Sequence, residues 1–211
     1  MSDRTQRSLA DYPRPSVAVD TAVLTLDAVD GLVVLEVRRP DRGWALPGTF
    51  LHEGEVLADA VDRSLQVKAN VRGLHPRQLH VFDDPGRDDR GWVLSVAHVD
   101  VVQPDLLASR FPDRTRLVSI DKPGRLPFDH ADIIALAVDN IRARYRDKPD
   151  PDGLLGHEFT LRELRLAHEA VAGHPLQRDT FRRAMEPHLE PTGMTASGNR
   201  GRPAEVFRRV D

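Results

Sequence analysis

The chain has 211 residues, 40% of them hydrophobic, a mean hydropathy of −0.43 and a formal net charge of −3. That suffices for one large or two small domains, and no apolar run of ~18 residues is present to span a bilayer. The absence of cysteine excludes disulfides and Cys-ligated metal or redox centres, and the polar segment before Ser16 lacks a secretory apolar stretch, so a soluble cytoplasmic protein is expected.

Residues 1–14 read as a flexible N-terminal arm. Ser16–Leu26 alternates apolar and polar residues and reads as a strand. A turn over 27–31 leads to a second strand, Leu32–Val37, so the two predict a hairpin. Pro40, Gly43, Pro47, Gly48 and Gly54 mark a loop. Leu57, Val61 and Leu65 then recur at i+4 steps and predict a helix over 55–68, with Asp59 spaced to pair with Arg63. A short strand at 79–82 precedes a charged turn at 83–90. The apolar run 92–102 predicts a central strand buried on both faces, and 118–120 a further short one. A long helix follows over 129–146, with Ile134, Val138, Ile141 and Tyr145 as its apolar stripe. Two prolines and a glycine within 147–153 break that pattern. The reading is therefore a first domain over 15–148, a linker over 149–156 and a second domain over 157–211.

The second domain carries strong end signals. Thr160 and Glu163 have the spacing of a capping box, and Phe159 is placed to staple onto Leu164. That helix runs to Ala172 and stops at Gly173, which suits a left-handed cap. A second helix is predicted over 178–188 with Phe181 and Met185 inward. Two extended stretches, 190–195 and 204–210, flank a tip rich in Gly and Arg. Helix, short turn, helix and basic hairpin form the order of a winged helix-turn-helix. Residues 178–209 hold seven Arg against four acidic residues, a basic stripe in an otherwise acidic chain.

Residues 49–71 have the spacing of a Nudix box, G-x5-E-x7-R-E-U-x-E-E-x-G-U with U apolar, and resemble it in part. Glu55, Arg63, Leu65 and Val71 stand where the pattern asks. Thr49 replaces the first glycine, Ser64 the Glu after Arg, Val67 and Lys68 the Glu pair, and Asn70 the last glycine. Asn tolerates the left-handed conformation, so that turn can survive. Hydrolysis of a diphosphate on such a helix needs a divalent cation held by carboxylate oxygens. Valine offers no ligand, and a lysine repels the cation. The sequence therefore predicts the fold without the activity and without a metal or other cofactor.

Leu126 to Ile133, with Phe128, Asp129 and His130 at its centre, resembles the Ala-Phe-Asp-His-Ala-Glu-Ile segment of the Nudix-related transcriptional regulators called NrtR. The stretches 159–164, 181–183 and 201–204 are similar to that family's helix-turn-helix and wing. The resemblance covers nearly the whole chain from Pro15 onward. It implies an α/β Nudix-like sandwich with a mixed sheet, followed by an α+β winged helix-turn-helix domain. It also implies a homodimeric repressor that binds a palindromic double-stranded operator at genes of NAD biosynthesis and salvage, and a first domain that senses ADP-ribose or a related NAD metabolite. The alternatives are an active ADP-ribose pyrophosphatase, or a regulator of the same architecture sensing another sugar phosphate.

Arg178, Thr180, Arg182 and Arg183 on the second helix are the candidate DNA contacts, because Arg reads guanine edges or grips phosphate from a major-groove helix. Arg200 and Arg202 at the tip suit minor-groove or phosphate contact. For the ligand, Arg38, Arg39 and Arg90 are candidate diphosphate contacts, with Glu55 at the box. Trp44 either stacks an adenine or anchors its loop. Lys68 either faces a ligand phosphate in place of the metal or snorkels to solvent or a neighbour. Arg63 is expected to pair with Asp59 or Glu55, and His130 to pack the start of its helix.

Overall fold

The structure, a computed structural model, describes residues 8, 11–39, 43–196 and 203–210. Most of the expected N-terminal arm and the tip residues Arg200 and Arg202 lie outside the described residues. Strand β1 (Ser16–Asp27) is the axis of a seven-stranded sheet. It pairs antiparallel with β2 (Gly31–Arg39) and with β4 (Gly48–Phe50), and parallel with β6 (Val93–Val101). β3 (Gly43–Ala45) and β7 (Thr115–Ser119) add to β2, and β5 (Arg77–Phe82) closes the far edge on β6. The sheet is therefore mixed. The segment read from sequence as one loop contains the two short strands β3 and β4, which are too brief to show a period of two.

Both faces of the sheet are covered, so β1 and β2 are apolar on both sides. Val19, Val23, Leu35 and Val37 face helix α1 (Leu57–Ala69), which presents Val61 and Leu65. Ala22, Leu24, Leu32 and Val34 face helix α2 (His130–Tyr145), which presents Ile133, Ile134, Ala137 and Ile141. Helix α1 starts at Leu57, not at Glu55, and the Val56 cap makes no side-chain hydrogen bond. Glu55 lies in the preceding turn, where its backbone N–H donates to the His52 carbonyl. Asn70 ends α1 with φ 56 and ψ 38, and its side-chain amide donates to the Ser109 carbonyl. The missing box glycine is thus replaced by a residue that holds the left-handed turn and bolts it to the next loop.

The winged helix has its own small core of Phe159, Leu164, Phe181, Met185, Leu189 and Phe207. β8 (Phe159–Thr160) leads into α3 (Leu161–Ala172), with both halves of the capping box formed and Gly173 at φ 77. α4 (Arg178–Met185) ends in a 3-10 turn, Glu186–His188, because Pro187 cannot continue the α-helical hydrogen bonding. β9 (Leu189–Ala196) and β10 (Ala204–Arg209) form the wing, and β10 also pairs with β8. Among the described residues no helix is long and apolar enough to cross a membrane.

The stretch 149–156, read from sequence as a linker, joins the two halves through one buried carboxylate. Asp150, at φ 44, accepts from the Tyr145 hydroxyl at 2.7 Å and from the backbone N–H groups of Leu154 and Leu155 at 2.8 and 2.9 Å. The Arg209 guanidinium at the end of β10 pairs with its other face. Its own N–H donates to His168 Nε2 on α3 at 3.2 Å. The last turn of α2, the inner face of α3 and the wing are all tied to this residue. Val171 of α3 completes the seam by joining the core under α2.

Asp150→Asn leaves Arg209 without its charge partner, and a loss of ~2–4 kcal/mol is expected in urea unfolding; unchanged stability would remove Asp150 as the seam. Burial of the His168 ring lowers its pKa from 6.5 to about 4, with Asp150 opposing. Between those values the unfolded chain binds more protons, so stability is lost as the pH falls from about 6.5 towards 4, by ~2 kcal/mol at about pH 5 relative to neutral pH. His168→Gln should abolish the part of the shift in urea midpoint between about pH 7 and pH 5 that this ring causes.

Candidate functional site

Above the edge of the sheet, between β1, β2, α1 and the start of α2, lies a cleft of about 790 Å³, a size that suits a nucleotide-like ligand. Its floor is built on Asp20, a buried carboxylate in the middle of β1. Ser95 Oγ donates to it at 2.6 Å, His130 Nε2 stands at 3.3 Å and Arg87 Nη2 at 3.6 Å. Burial by itself would raise the Asp20 pKa, but His130, Ser95 and Arg87 together outweigh it and hold the carboxyl below its usual range. His130 Nδ1 accepts the Leu46 N–H at 3.0 Å, which leaves Nε2 to carry the proton toward Asp20. Arg87, itself almost wholly buried, forks onto Asp129 at 2.7 and 2.5 Å. One connected network thus fixes β1, β6, the 83–90 turn and the start of α2. Gly48 of β4 approaches it so closely that a Cβ there would stand 1.9 Å from Asp20 Oδ1 and 2.8 Å from the Val19 carbonyl.

Cations line the walls. Phe128, at φ 54, presents its ring to the guanidinium groups of Arg39 and Arg90, each 5.4 Å from its centroid. Arg90 is also held by Asp88 at 2.6 Å, and this pairing holds the buried Asp88 carboxyl down to about 2. Arg38, Arg39, Arg114 and Lys68 share the lining, and neither Arg38 nor Arg39 pairs with a carboxylate among the described residues. Burial lowers the Lys68 pKa, and Arg39, Arg63 and Arg90 lower it further against the pull of Asp20. Such a cleft attracts anions, and the aromatic faces of Phe50 and Phe128 offer planar contact.

A divalent cation does not fit here. Val67 is exposed and has no donor atom, and the Lys68 ammonium donates to the Gly48 carbonyl. Among the described residues no group of three or more His, Asp or Glu side chains is gathered to hold a metal. Glu55, the surviving box carboxylate, is taken by Arg63, at 2.7 Å to Nε and 2.8 Å to Nη2, which brings its pKa down to about 2. Arg63 also donates to Thr49 Oγ1 and the Phe50 carbonyl, so this pair staples α1 to β4. The partner of Arg63 is therefore Glu55 and not Asp59.

Of the ligand candidates read from sequence, Arg38, Arg39, Lys68 and Arg90 meet in the cleft, whereas Trp44 and Glu55 do not line it. Trp44 stands across from Arg38 in β3 and lies under the Arg116 guanidinium, 4.5 Å from its ring centre, while Arg116 pairs with buried Glu36 at 2.7 Å. Its ring anchors the strand. Sequence reasoning missed Asp20, Arg87, Asp88 and Phe128. The faint signals were a lone Asp inside an apolar strand and an Arg directly after an Asp-Pro-Gly turn.

In the winged helix, Phe181 and Met185 are buried and Arg178, Thr180, Arg182 and Arg183 are exposed on α4. Gln177 caps this helix through its side-chain oxygen. Arg178 and Arg182 border a notch between α3 and α4 with Arg162 and Arg165, a cluster of four guanidinium groups. Arg182 pairs with Glu186 at 2.9 Å, an exposed contact that a phosphate can replace at little cost. Thr180 points to the other flank, where it borders an apolar cavity of about 430 Å³ between α4 and the last turn of α2.

Residues 153–209 match the family of NrtR DNA-binding winged helix domains. The ADPR responsive transcriptional repressor NtrR of Acinetobacter baylyi is 28% identical over 215 residues, covering 96% of this chain and 85% of the relative. An ADP-ribose pyrophosphatase of Methanocaldococcus jannaschii is 30% identical over 125 residues, covering 58% of this chain and 73% of the relative. The crystal structure of Shewanella oneidensis NrtR complexed with a 27mer DNA matches with a TM-score of 0.76 at 29% identity, over 92% of this chain and 93% of that one.

The tight approach at Gly48 yields a direct test. Gly48→Ala should cost ~1–3 kcal/mol in denaturant unfolding, because Asp20 is held by three partners and cannot step aside freely. Full stability of this variant would mean that the network under the cleft is soft.

Proposed function

We propose that this chain is a Nudix-related transcriptional regulator of the NrtR type, a DNA-binding repressor of NAD biosynthesis and salvage genes whose first domain senses ADP-ribose. The observation that carries this reading is the joining, in one chain, of a winged helix with an arginine-lined reading helix to a cationic cleft that has lost its carboxylate pair. The A. baylyi relative is named as ADPR responsive and the S. oneidensis relative was crystallised on DNA, which supports both halves of the reading.

Helix α2 supplies the mechanical link. Its N-terminal end, Asp129 and His130, is built into the cleft floor, and its C-terminal Tyr145 is built into the Asp150 seam. Sixteen residues of α-helix make a rod of ~24 Å between the two. A ligand that pulls on Arg90, Phe128 or Arg87 acts on one end of this rod, and the reading head is fastened to the other. The ligand weakens DNA binding by its preference for the arrangement that does not fit the operator. In a homodimer, two heads meet half-sites of a palindrome about one helical turn apart, so a small tilt of each rod breaks the register. Arg178, Arg182 and Arg183 contact the operator from α4, with Arg200 and Arg202 of the wing as further contacts.

A second reading is hydrolysis of ADP-ribose, favoured by the likeness to the M. jannaschii enzyme over the first domain. The donor set described above speaks against it. Incubation with ADP-ribose and magnesium is expected to release no AMP, and steady AMP formation would restore the enzyme reading.

Fluorescence anisotropy at fixed salt, on the gene's own upstream DNA and on promoters of NAD genes, tests the regulator reading. Specific binding that weakens on addition of ADP-ribose is expected. Arg182→Ala with Arg183→Ala should lose at least ~10-fold in affinity, with a salt slope reduced by ~1 for each phosphate contact removed and with unfolding unchanged. Full operator binding by this double variant would remove α4 as the reading helix.

A further inference from the structure

We infer that the cleft holds the diphosphate of its ligand without any divalent cation, with the Lys68 ammonium standing where the metal of a hydrolytic Nudix site is held. This deepens the proposed function and rests on it for the identity of the ligand, but the diphosphate chemistry rests on the residues of the cleft. Lys68 is in the last turn of α1, at the second position of the box's absent Glu pair. Its ammonium reaches into the cleft and donates to the Gly48 carbonyl at the back wall. An ammonium has three N–H donors, so two remain for oxygens of a ligand. The Gly48 carbonyl thus already faces a positive charge.

The surroundings reinforce the exchange. Arg39 and Arg90 stand side by side over Phe128, and Arg38 and Arg114 line the same cleft. The carboxylates nearby are committed, Asp20 to Ser95, His130 and Arg87, and Asp88 to Arg90. A divalent ion would therefore meet several positive groups and no free carboxylate pair. A doubly charged diphosphate meets the reverse, with guanidinium forks suited to its oxygens. The crowding of Lys68 by Arg39, Arg63 and Arg90 is relieved when an anion enters. The same arrangement explains how a Nudix helix can be kept for binding while hydrolysis is lost. Charge neutralisation is retained, but no metal-bound water is generated.

Isothermal titration of the full chain with ADP-ribose, and separately with ADP as the diphosphate probe, tests this in EDTA and in excess magnesium. Wild type is expected to bind ADP in EDTA within about twofold of its affinity in magnesium. Lys68→Gln is expected to weaken ADP at least ~10-fold in EDTA, and Lys68→Arg, which keeps the cation, to retain most of the affinity. Circular dichroism melts of both variants control for folding, and the wild-type comparison stands even if Lys68→Gln is unstable. Binding of ADP only in magnesium, no ADP binding under either condition, or a folded Lys68→Gln with wild-type affinity overturns the inference. If ADP binds as expected and ADP-ribose does not, the inference stands and ADP-ribose as the effector is overturned.

Discussion

The Asp20 network is the constraint on which the rest of the sensor depends. A carboxylate in the middle of a buried strand is tolerated only because Ser95, His130 and Arg87 pay its desolvation between them. Those three residues come from β6, from the start of α2 and from the turn between β5 and β6. Their alignment on one carboxylate fixes where α2 begins and how the 83–90 turn lies over the sheet. The turn in turn delivers Asp88 and Arg90 to the cleft wall. The floor of the site and the joint of the fold are the same set of atoms.

A second buried carboxylate, Asp150, plays the corresponding part at the other end of α2. It gathers a hydroxyl, two backbone amides and a guanidinium, and its own amide reaches His168. Both ends of one helix are thus held by paired buried charges, whose geometry tolerates little sliding. Apolar packing alone, such as the contact of Val171 with the core under α2, permits small shifts at low cost. The cleft floor and the seam under the winged helix are therefore fastened to opposite ends of the same helix. A flexible tether between the two ends of α2 would supply no such coupling.

The cleft also shows what remains of a hydrolase-like architecture when its carboxylates are replaced. Arg63 and Glu55 stay as a staple between α1 and β4, Asn70 keeps the turn, and the helix is intact. The changed positions, Val67 and Lys68, alter charge without altering the backbone. Metal ligation on such a helix depends on a few side-chain oxygens, whereas the fold depends on Val61, Leu65 and the two faces of the sheet, so the ligand positions can change while the shape is kept.

The sequence alone determined whatever depends on neighbours within a turn or two. The capping box at Thr160 and Glu163, the stop at Gly173, the inward Phe181 and Met185, and the lost Glu pair all follow from spacing along one helix. The tertiary structure decided what depends on distant partners. Arg87 meets Asp129 across 42 residues, and Ser95 meets Asp20 across 75. No local period encodes such pairs, so the sequence left only faint signals of the cleft floor. Trp44 and Glu55 looked like site residues by position, yet Arg116 and Arg63 claim them. A side chain's direction is set by the strand or turn that carries it and by the charge it finds there, and both exist only once the sheet has closed.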